Sequence, residues 1–244
     1  MTETNSSQLL YRRVLIKLSG EALGEQGFDN ERFGEVITEL ISLVEQGVQV
    51  ALVMGGGNFL RGDRFASQYI DRVTADQVGM LATVMNGLAL RHALQTRGLT
   101  APVYSALDIS GLVEPYNHHE VKDALNKHKM AILTGGVGEP LFSTDSGAAL
   151  RSVELQADIL LKASTIDGVY SADPRIDASA QRYEHLTFDE VLAHKLNVMD
   201  LSAICLCQEH NMPIRVFATH QLPQLKNLVL GDPLGTLISR SKDE

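Results

Sequence analysis

Lys17 interrupts the apolar run VLIKL (Val14 to Leu18), and Lys162 interrupts DILLKAS in the same way. An ammonium group among such residues either snorkels out of the strand end or is held there to meet a charge. Ser19 and Gly20 follow the first lysine at once. A second apolar run, VQVALVM, ends in GGGN (Gly55 to Asn58), with Arg61 three residues further on. Glycines let backbone N–H groups approach an anion, and a helix start adds positive potential; a tight strand–helix turn is the alternative reading of GGGN. Lys17, Arg61 and Lys162 suit phosphoryl transfer, in which a protein holds donor and acceptor in line and neutralises charge on the transferred group. Close-set lysines repel. Asp145, in STDSGAAL, is the anion expected between them, or a helix cap; the two roles are compatible.

Further polar residues admit a bland and a functional reading. Asp76 opens a long apolar helical pattern, where an acid complements the helix dipole or accepts hydrogen bonds from sugar hydroxyls. TIDGVYSADPR (Thr165 to Arg175) is a surface turn, or a loop in which Tyr170 stacks on a base and Asp173 takes ribose hydroxyls. His118 and His119 fall in a polar loop without zinc spacing. Cys205 and Cys207 point to different faces of a helix and are poor disulfide partners. GxxxxGK[ST], GxSxG and HExxH do not occur, and GGGNFLRG breaks the GxGxxG spacing.

These residues need a frame. Apolar runs at Val14–Leu18, Val48–Met54, around Val103, Met130–Thr134, Asp158–Ala163, Pro213–Phe217 and Gly235–Ser239 read as strands. Amphipathic stretches lie between them: Asp29 to Gln46, and Ala75 to Thr96 with Met80, Leu81, Val84, Met85, Leu88 and Ala89 on one face. Others are Glu120 to Lys127, the segment from Ser143, Thr144 or Asp145, TFDEVLAHK, DLSAICLCQEH, and Leu222 to Leu230. Near-continuous apolar strands alternating with helices mean an α/β fold with a mostly parallel sheet covered on both faces. Ligands bind beyond the carboxyl ends of such strands, and Gly-containing loops follow the first, second, fourth and fifth.

The 244 residues, 44% apolar and 21% charged, suit a globular chain that needs no staples. Residues 1–10 are expected to form a disordered tail and 11–244 a single domain. With 21 basic and 30 acidic residues the net charge is −9. That argues against general nucleic-acid or membrane-surface binding. The start, MTETNSSQ, has no apolar signal region, and the apolar runs are too short to span a bilayer, so a cytoplasmic location is expected.

The strings KLSGEAL, VMGGGNFLRG, RVTADQVGMLATVMNGLALRHAL, GEPLFSTDSGAALR, LKASTIDGVYSADP, KLNVMDLSA and PIRVF, spread from Arg13 to Ile238, resemble those of the bacterial uridylate kinases of the amino acid kinase superfamily. The resemblance implies a three-layer αβα sandwich on a mainly parallel sheet, a homohexamer, and ATP-dependent phosphorylation of UMP to UDP with Mg2+ carried by ATP. Position by position it implies that Lys17, Leu18, Ser19, Gly20, Gly57 and Arg61 meet ATP phosphates. Gly56 would touch UMP and Asp76 would hold its ribose. Val137, Gly138, Glu139, Pro140, Leu141, Phe142, Ser143 and Thr144 would wrap the uracil and its phosphate. Asp145 would orient the lysines, with Lys162 as the second cation, and Ser164, Tyr170 and Asp173 would contact the nucleoside end of ATP. GTP and UTP are implied as effectors. Arg91 and the Gly24–Asp29 loop fit a GTP site, whereas Pro102 and Lys129 stand where some relatives have arginine, and neither offers its bidentate fork. The rival readings are a superfamily kinase acting on acetylglutamate, carbamate, aspartate or glutamate, and a nucleotide sensor without catalysis.

Overall fold

The structure, a computed structural model, describes residues 9–60 and 69–242. In chain order the described elements are β1 (Arg13–Leu18), α1 (Asn30–Glu45), β2 (Gln49–Met54), α2 (Arg72–Thr96), β3 (Val103–Ser105), β4 (Glu114–Pro115), α3 (His118–His128) and β5 (Met130–Thr134). Then follow α4 (Thr144–Glu154), β6 (Ile159–Ser164), β7 (His185–Thr187), α5 (Phe188–Ala193), α6 (Leu201–Glu209), β8 (Ile214–Ala218), α7 (Leu225–Leu228) and β9 (Thr236–Ser239). Single 3-10 segments cover Gly20–Ala22 and Thr219–Gln224.

The strands form one sheet in the order β4-β3-β5-β2-β1-β6-β8-β9-β7. Every described pairing is parallel except β8 with β9. Strand alternation sorts the core into two layers. Val14, Ile16, Leu18, Leu52 and Met54 face α1, α2 and α7. Leu15, Val53 and Leu160 face α3, α4, α5 and α6. This is the expected three-layer αβα sandwich. The carboxyl ends of β1, β2, β5 and β6 share one edge, which gathers the loops after them. Leu9 and Leu10, expected in a tail, are tied to this body: Leu9 packs on the core, and the Leu10 N–H donates to the Val229 carbonyl at 2.8 Å.

Several local expectations are corrected. β4 and β7 were not expected as strands; at two and three residues they are too short and polar for an apolar run to announce them. His118 and His119 lie in the first turn of α3, where Asn117 caps the helix by accepting from the His119 and Glu120 N–H groups. Ser143, not Asp145, caps α4, accepting from the Asp145 N–H. α2 begins at Arg72 with Asp71 as its cap, so Asp76 lies beyond the first turn and the dipole reading loses its basis. The segment from Leu222 to Leu230 splits into a 3-10 stretch holding Pro223 and the short α7.

The apolar arc of α2 is also wider than one buried face. Met80 and Val84 are buried, while Leu81 and Met85 are 47% and 50% exposed. Cys205 is exposed and Cys207 buried, as opposite helix faces require. Among the described residues no helix is long and apolar enough to cross a membrane.

Candidate active site

Lys17 and Lys162 are direct neighbours in the parallel β1–β6 register. Lys17 continues the face of Leu15, and Lys162 that of Leu160, so both ammonium groups leave the sheet on the side covered by α4. The first turn of α4 brings Asp145 between them. Its Oδ1 lies 2.7 Å from Lys17 Nζ, and its Oδ2 accepts from Lys162 Nζ at 2.7 Å. All three side chains are only 11–13% exposed. Lys162 Nζ also donates to the Val198 carbonyl.

Burial alone pushes the Asp145 carboxyl up. The two ammonium groups outweigh it and hold the acid below the usual carboxylate range. Burial pulls Lys162 below the ordinary lysine range, and nearby Lys17 adds to that, while Asp145 and more distantly Asp200 oppose it. The cluster has the net charge of one cation when empty, which suits a phosphate-bearing ligand.

The glycine loops are fixed from behind by a buried amide pair. Asn86, fully buried in α2, donates to the Gly55 carbonyl at 2.8 Å and to Asn58 Oδ1 at 2.8 Å. Asn58 donates back to Asn86 Oδ1 at 3.1 Å and to the Gly27 carbonyl at 3.0 Å. The loops after β1 and β2 press together here: a Cβ on Gly20 would lie 2.7 Å from the Gly57 nitrogen, and one on Gly56 would lie 2.7 Å from the Gly79 carbonyl on α2. Asn86→Ala removes both donors and leaves the Gly55 carbonyl and the Asn58 amide short of partners. It is expected to destabilise the fold by about 2–6 kcal/mol, at about 1–3 kcal/mol for each unsatisfied group, read as a lower urea midpoint.

A cleft of about 680 Å³ opens over this edge. Lys17, Ser19, Gly20, Gly55, Gly56 and Gly57 line one side, and Asp76 and Leu141 to Thr144 line the other. Val137, Gly138, Glu139 and Pro140 belong to the loop that leads into it and are not on its wall. Asp76, 14% exposed, accepts a bifurcated hydrogen bond from Arg72 Nε, 2.9 Å to each oxygen, and the Leu141 N–H at 3.0 Å. It therefore ties α2 to the loop before α4, with lone pairs left for a ligand. Arg61 lies outside the described residues.

A second cavity, of about 280 Å³, is lined by Ser164, Tyr170, Asp173 and the segment from His194 to Val198. Tyr170 donates to Asp167 Oδ1 at 2.7 Å, which fixes its ring and raises its pKa. Hydrogen bonds from the Arg175 side chain and backbone hold the Asp173 carboxyl down to about 2. Lys162 and Asp145 are on the wall of neither cavity; Lys162 bonds to Asp145, whose neighbours Thr144 and Ser146 line the cleft, and to Val198, which lines the second cavity. A third groove shares Ser19 and Ser164 but is walled by Glu21, Glu25, Glu35 and Glu39 against one arginine, Arg32, a net negative lining that disfavours phosphate.

Among the residues of the site that were not read from the sequence are Arg72, Asn86 and Asp200. Arg72 and Asp200 are on the cleft wall. All three sit inside strings that carry the resemblance, but helix-borne polar residues are usually solvated, and nothing in their spacing marks them.

Two in-register lysines sharing one carboxylate at the carboxyl edge of a parallel sheet suit a phosphotransferase. The model of the amino acid kinase family matches residues 12–218. The uridylate kinase of Marinobacter nauticus is 48% identical over 241 residues, covering 98% of this chain and 100% of the relative, and that of Alcanivorax borkumensis is 49% identical, covering 95% and 93%. The crystal structure of UMP kinase from Bacillus anthracis superposes with a TM-score of 0.90 at 35% identity, covering 94% of this chain and 96% of that one. The UMP kinase from Ureaplasma parvum gives 0.87 at 35%, covering 94% and 99%. The chain belongs to the amino acid kinase family and, within it, to the uridylate kinases.

Proposed function

We propose that this chain transfers the γ-phosphoryl group of ATP to UMP. A phosphate oxygen of UMP forms the new P–O bond as the bond to ADP breaks, giving UDP without a covalent enzyme intermediate. The observation that carries this reading is the pair of in-register lysines sharing Asp145 at the carboxyl edge of the sheet. In it, Lys17 and Lys162 flank the transferred group and stabilise its equatorial charge. Asp145 keeps the two cations at fixed positions.

The N–H groups around Ser19, Gly20 and Gly57 face the ATP phosphates, and Ser164, Tyr170 and Asp173 hold its nucleoside. UMP lies against Gly56, Asp76 and the Val137–Thr144 loop, with its phosphate near the N-terminus of α4. Among the described residues no cluster of three or more His, Cys, Asp or Glu gathers to hold a metal, and Asp145 is already engaged by the lysines. The donor set therefore fits Mg2+ carried on the phosphates of ATP, where it neutralises further charge.

The deciding experiment measures ADP release with ATP, Mg2+ and each of five nucleoside monophosphates, beside acetylglutamate, carbamate, aspartate and glutamate. Turnover with UMP alone is expected. Turnover with an amino acid or carbamate instead would move the chain to another branch of the family, and UTP binding without UDP formation would make it a sensor. If Asp76 accepts the ribose hydroxyls, dUMP is expected to show a kcat/KM about 10- to 100-fold below UMP, the range for a hydrogen bond to a charged group. Equal turnover of the two removes that role from Asp76.

The same reading includes a cytoplasmic homohexamer with GTP and UTP as effectors. Exposed Leu81 and Met85 on α2, with Leu112 at 55% exposure, form an apolar surface suited to self-association. Arg91 already donates to the Leu112 carbonyl, so its guanidinium is only partly available to an anion. Sedimentation, and initial rates with and without each nucleotide, test these points.

A further inference from the structure

Asp200 occupies the N-cap position of α6, yet its side chain makes no capping bond there. It turns to α4 instead. Its Oδ2 accepts from Ser143 Oγ in a short hydrogen bond and from Ser146 Oγ at 3.3 Å. Ser146 in turn lies 3.0 Å from Ser202 Oγ. A residue type that caps helices well, in the capping position, has given up that bond for a neighbouring helix.

The consequence runs through one proton. A serine hydroxyl has a single O–H to donate and two lone pairs. Because the Ser143 proton is committed to Asp200, its lone pairs face the Asp145 N–H, which donates to Oγ at 3.0 Å. That bond sets the first turn of α4, and the first turn sets the carboxylate held between Lys17 and Lys162. Two residues before Asp200, the Val198 carbonyl takes Lys162 directly.

We propose that Asp200 is a positioning residue for phosphoryl transfer: through Ser143 it orients the first turn of α4 and with it Asp145. This inference rests on the phosphoryl-transfer reading above. The groups facing Lys162 are Asp145 from α4, Lys17 from β1, the Val198 carbonyl, and Asp200 at the start of α6. Loss of the Asp200 charge leaves the repulsion from Lys17 less opposed, so Lys162 loses its proton at lower pH.

The test compares Asp200→Ala, Asp200→Asn, Ser143→Ala and the double variant Ser143→Ala/Asp200→Ala in UDP formation. Thermal midpoints and KM for ATP are measured beside kcat. Asp200→Ala is expected to lower kcat about 10- to 100-fold, the scale of a misplaced catalytic group, with a smaller change in KM for ATP. Asp200→Asn keeps an acceptor oxygen and is expected to recover most of that loss at neutral pH, while its kcat/KM for ATP falls off on the alkaline side at lower pH than in the parent. Ser143→Ala is expected to match Asp200→Ala, and the double variant to be no worse than either.

A wild-type kcat in Asp200→Ala overturns the proposal. So does an equal loss in Ala and Asn with an unmoved alkaline limb, or additive losses in the double variant. If Asp200→Ala does not fold, the Asn and Ser143 variants decide by the same criteria. A parent enzyme that forms no UDP from UMP sinks the functional reading instead.

Discussion

Lys17→Ala is expected to lower kcat for UDP formation about 100- to 1000-fold, the usual cost of one preorganised charge donor at a transition state. The fold is expected to survive. Lys17 and Lys162 are like charges in register on adjacent strands, so deletion of one relieves a repulsion, and Asp145 keeps its bond to Lys162 at 2.7 Å. The assay pairs initial rates at saturating ATP and UMP with a thermal melt. A near-normal kcat would contradict the charge clamp, and an equal collapse of midpoint and rate would reduce Lys17 to a structural residue. The parent enzyme's pH profile carries a related expectation. The Lys162 pKa is lowered in the free protein, so as pH rises its charge, and kcat/KM with it, are lost before the ordinary lysine range is reached.

Asp145→Ala is expected to be harmful in two ways. Two side chains only 11% and 12% exposed would face each other without their anion. Breaking a buried pair from one side costs about 3–5 kcal/mol because the remaining charge is uncompensated. The lysines can escape by losing protons. A lysine whose folded pKa is depressed weakens the fold fully below that pKa and progressively less between it and the unfolded lysine value, so the stability deficit of Asp145→Ala is expected to shrink as pH rises through that alkaline window. ATP is expected to raise the variant's midpoint more than the parent's, since phosphate oxygens replace the lost carboxylate. A deficit that is constant with pH would show that the lysines do not carry the strain of the substitution. In the parent, the opposite sign holds for Asp145 itself: its depressed pKa adds stability above the unfolded carboxylate range, and that contribution is lost as acid protonates it.

The lysines were legible because charge is out of place in an apolar strand. VLIKL and DILLKAS each contain one residue that the pattern does not explain, and the parallel-sheet rule says which edge it faces. Asp145 was legible as a partner for them, though its expected capping role belongs to Ser143. The central strands were equally plain, since buried parallel strands leave unbroken apolar runs. What stayed hidden depends on contacts between distant segments. Asn86 looks like any polar residue on a long helix until α2 lies against the loop after β2 and its amide meets Gly55 and Asn58. Asp200 looks like an ordinary cap until its side chain turns toward α4. β7 and the antiparallel β8–β9 pairing were equally hidden, because a three-residue strand carries no periodicity and strand direction follows from the path of the connecting chain.

The β1–β6 pairing has a consequence for how this chain tolerates insertions and deletions. Side chains alternate along a strand, so a single-residue slip of β1 against the rest of the sheet would turn Lys17 into the α1–α2 layer and bring an aliphatic residue to Asp145. Here alignment of the ladder and competence for reaction are the same property. Length changes inside Arg13–Leu18 or Ile159–Ser164 are therefore expected to be silent in no case, whereas the loops on the opposite edge of the sheet are free to grow.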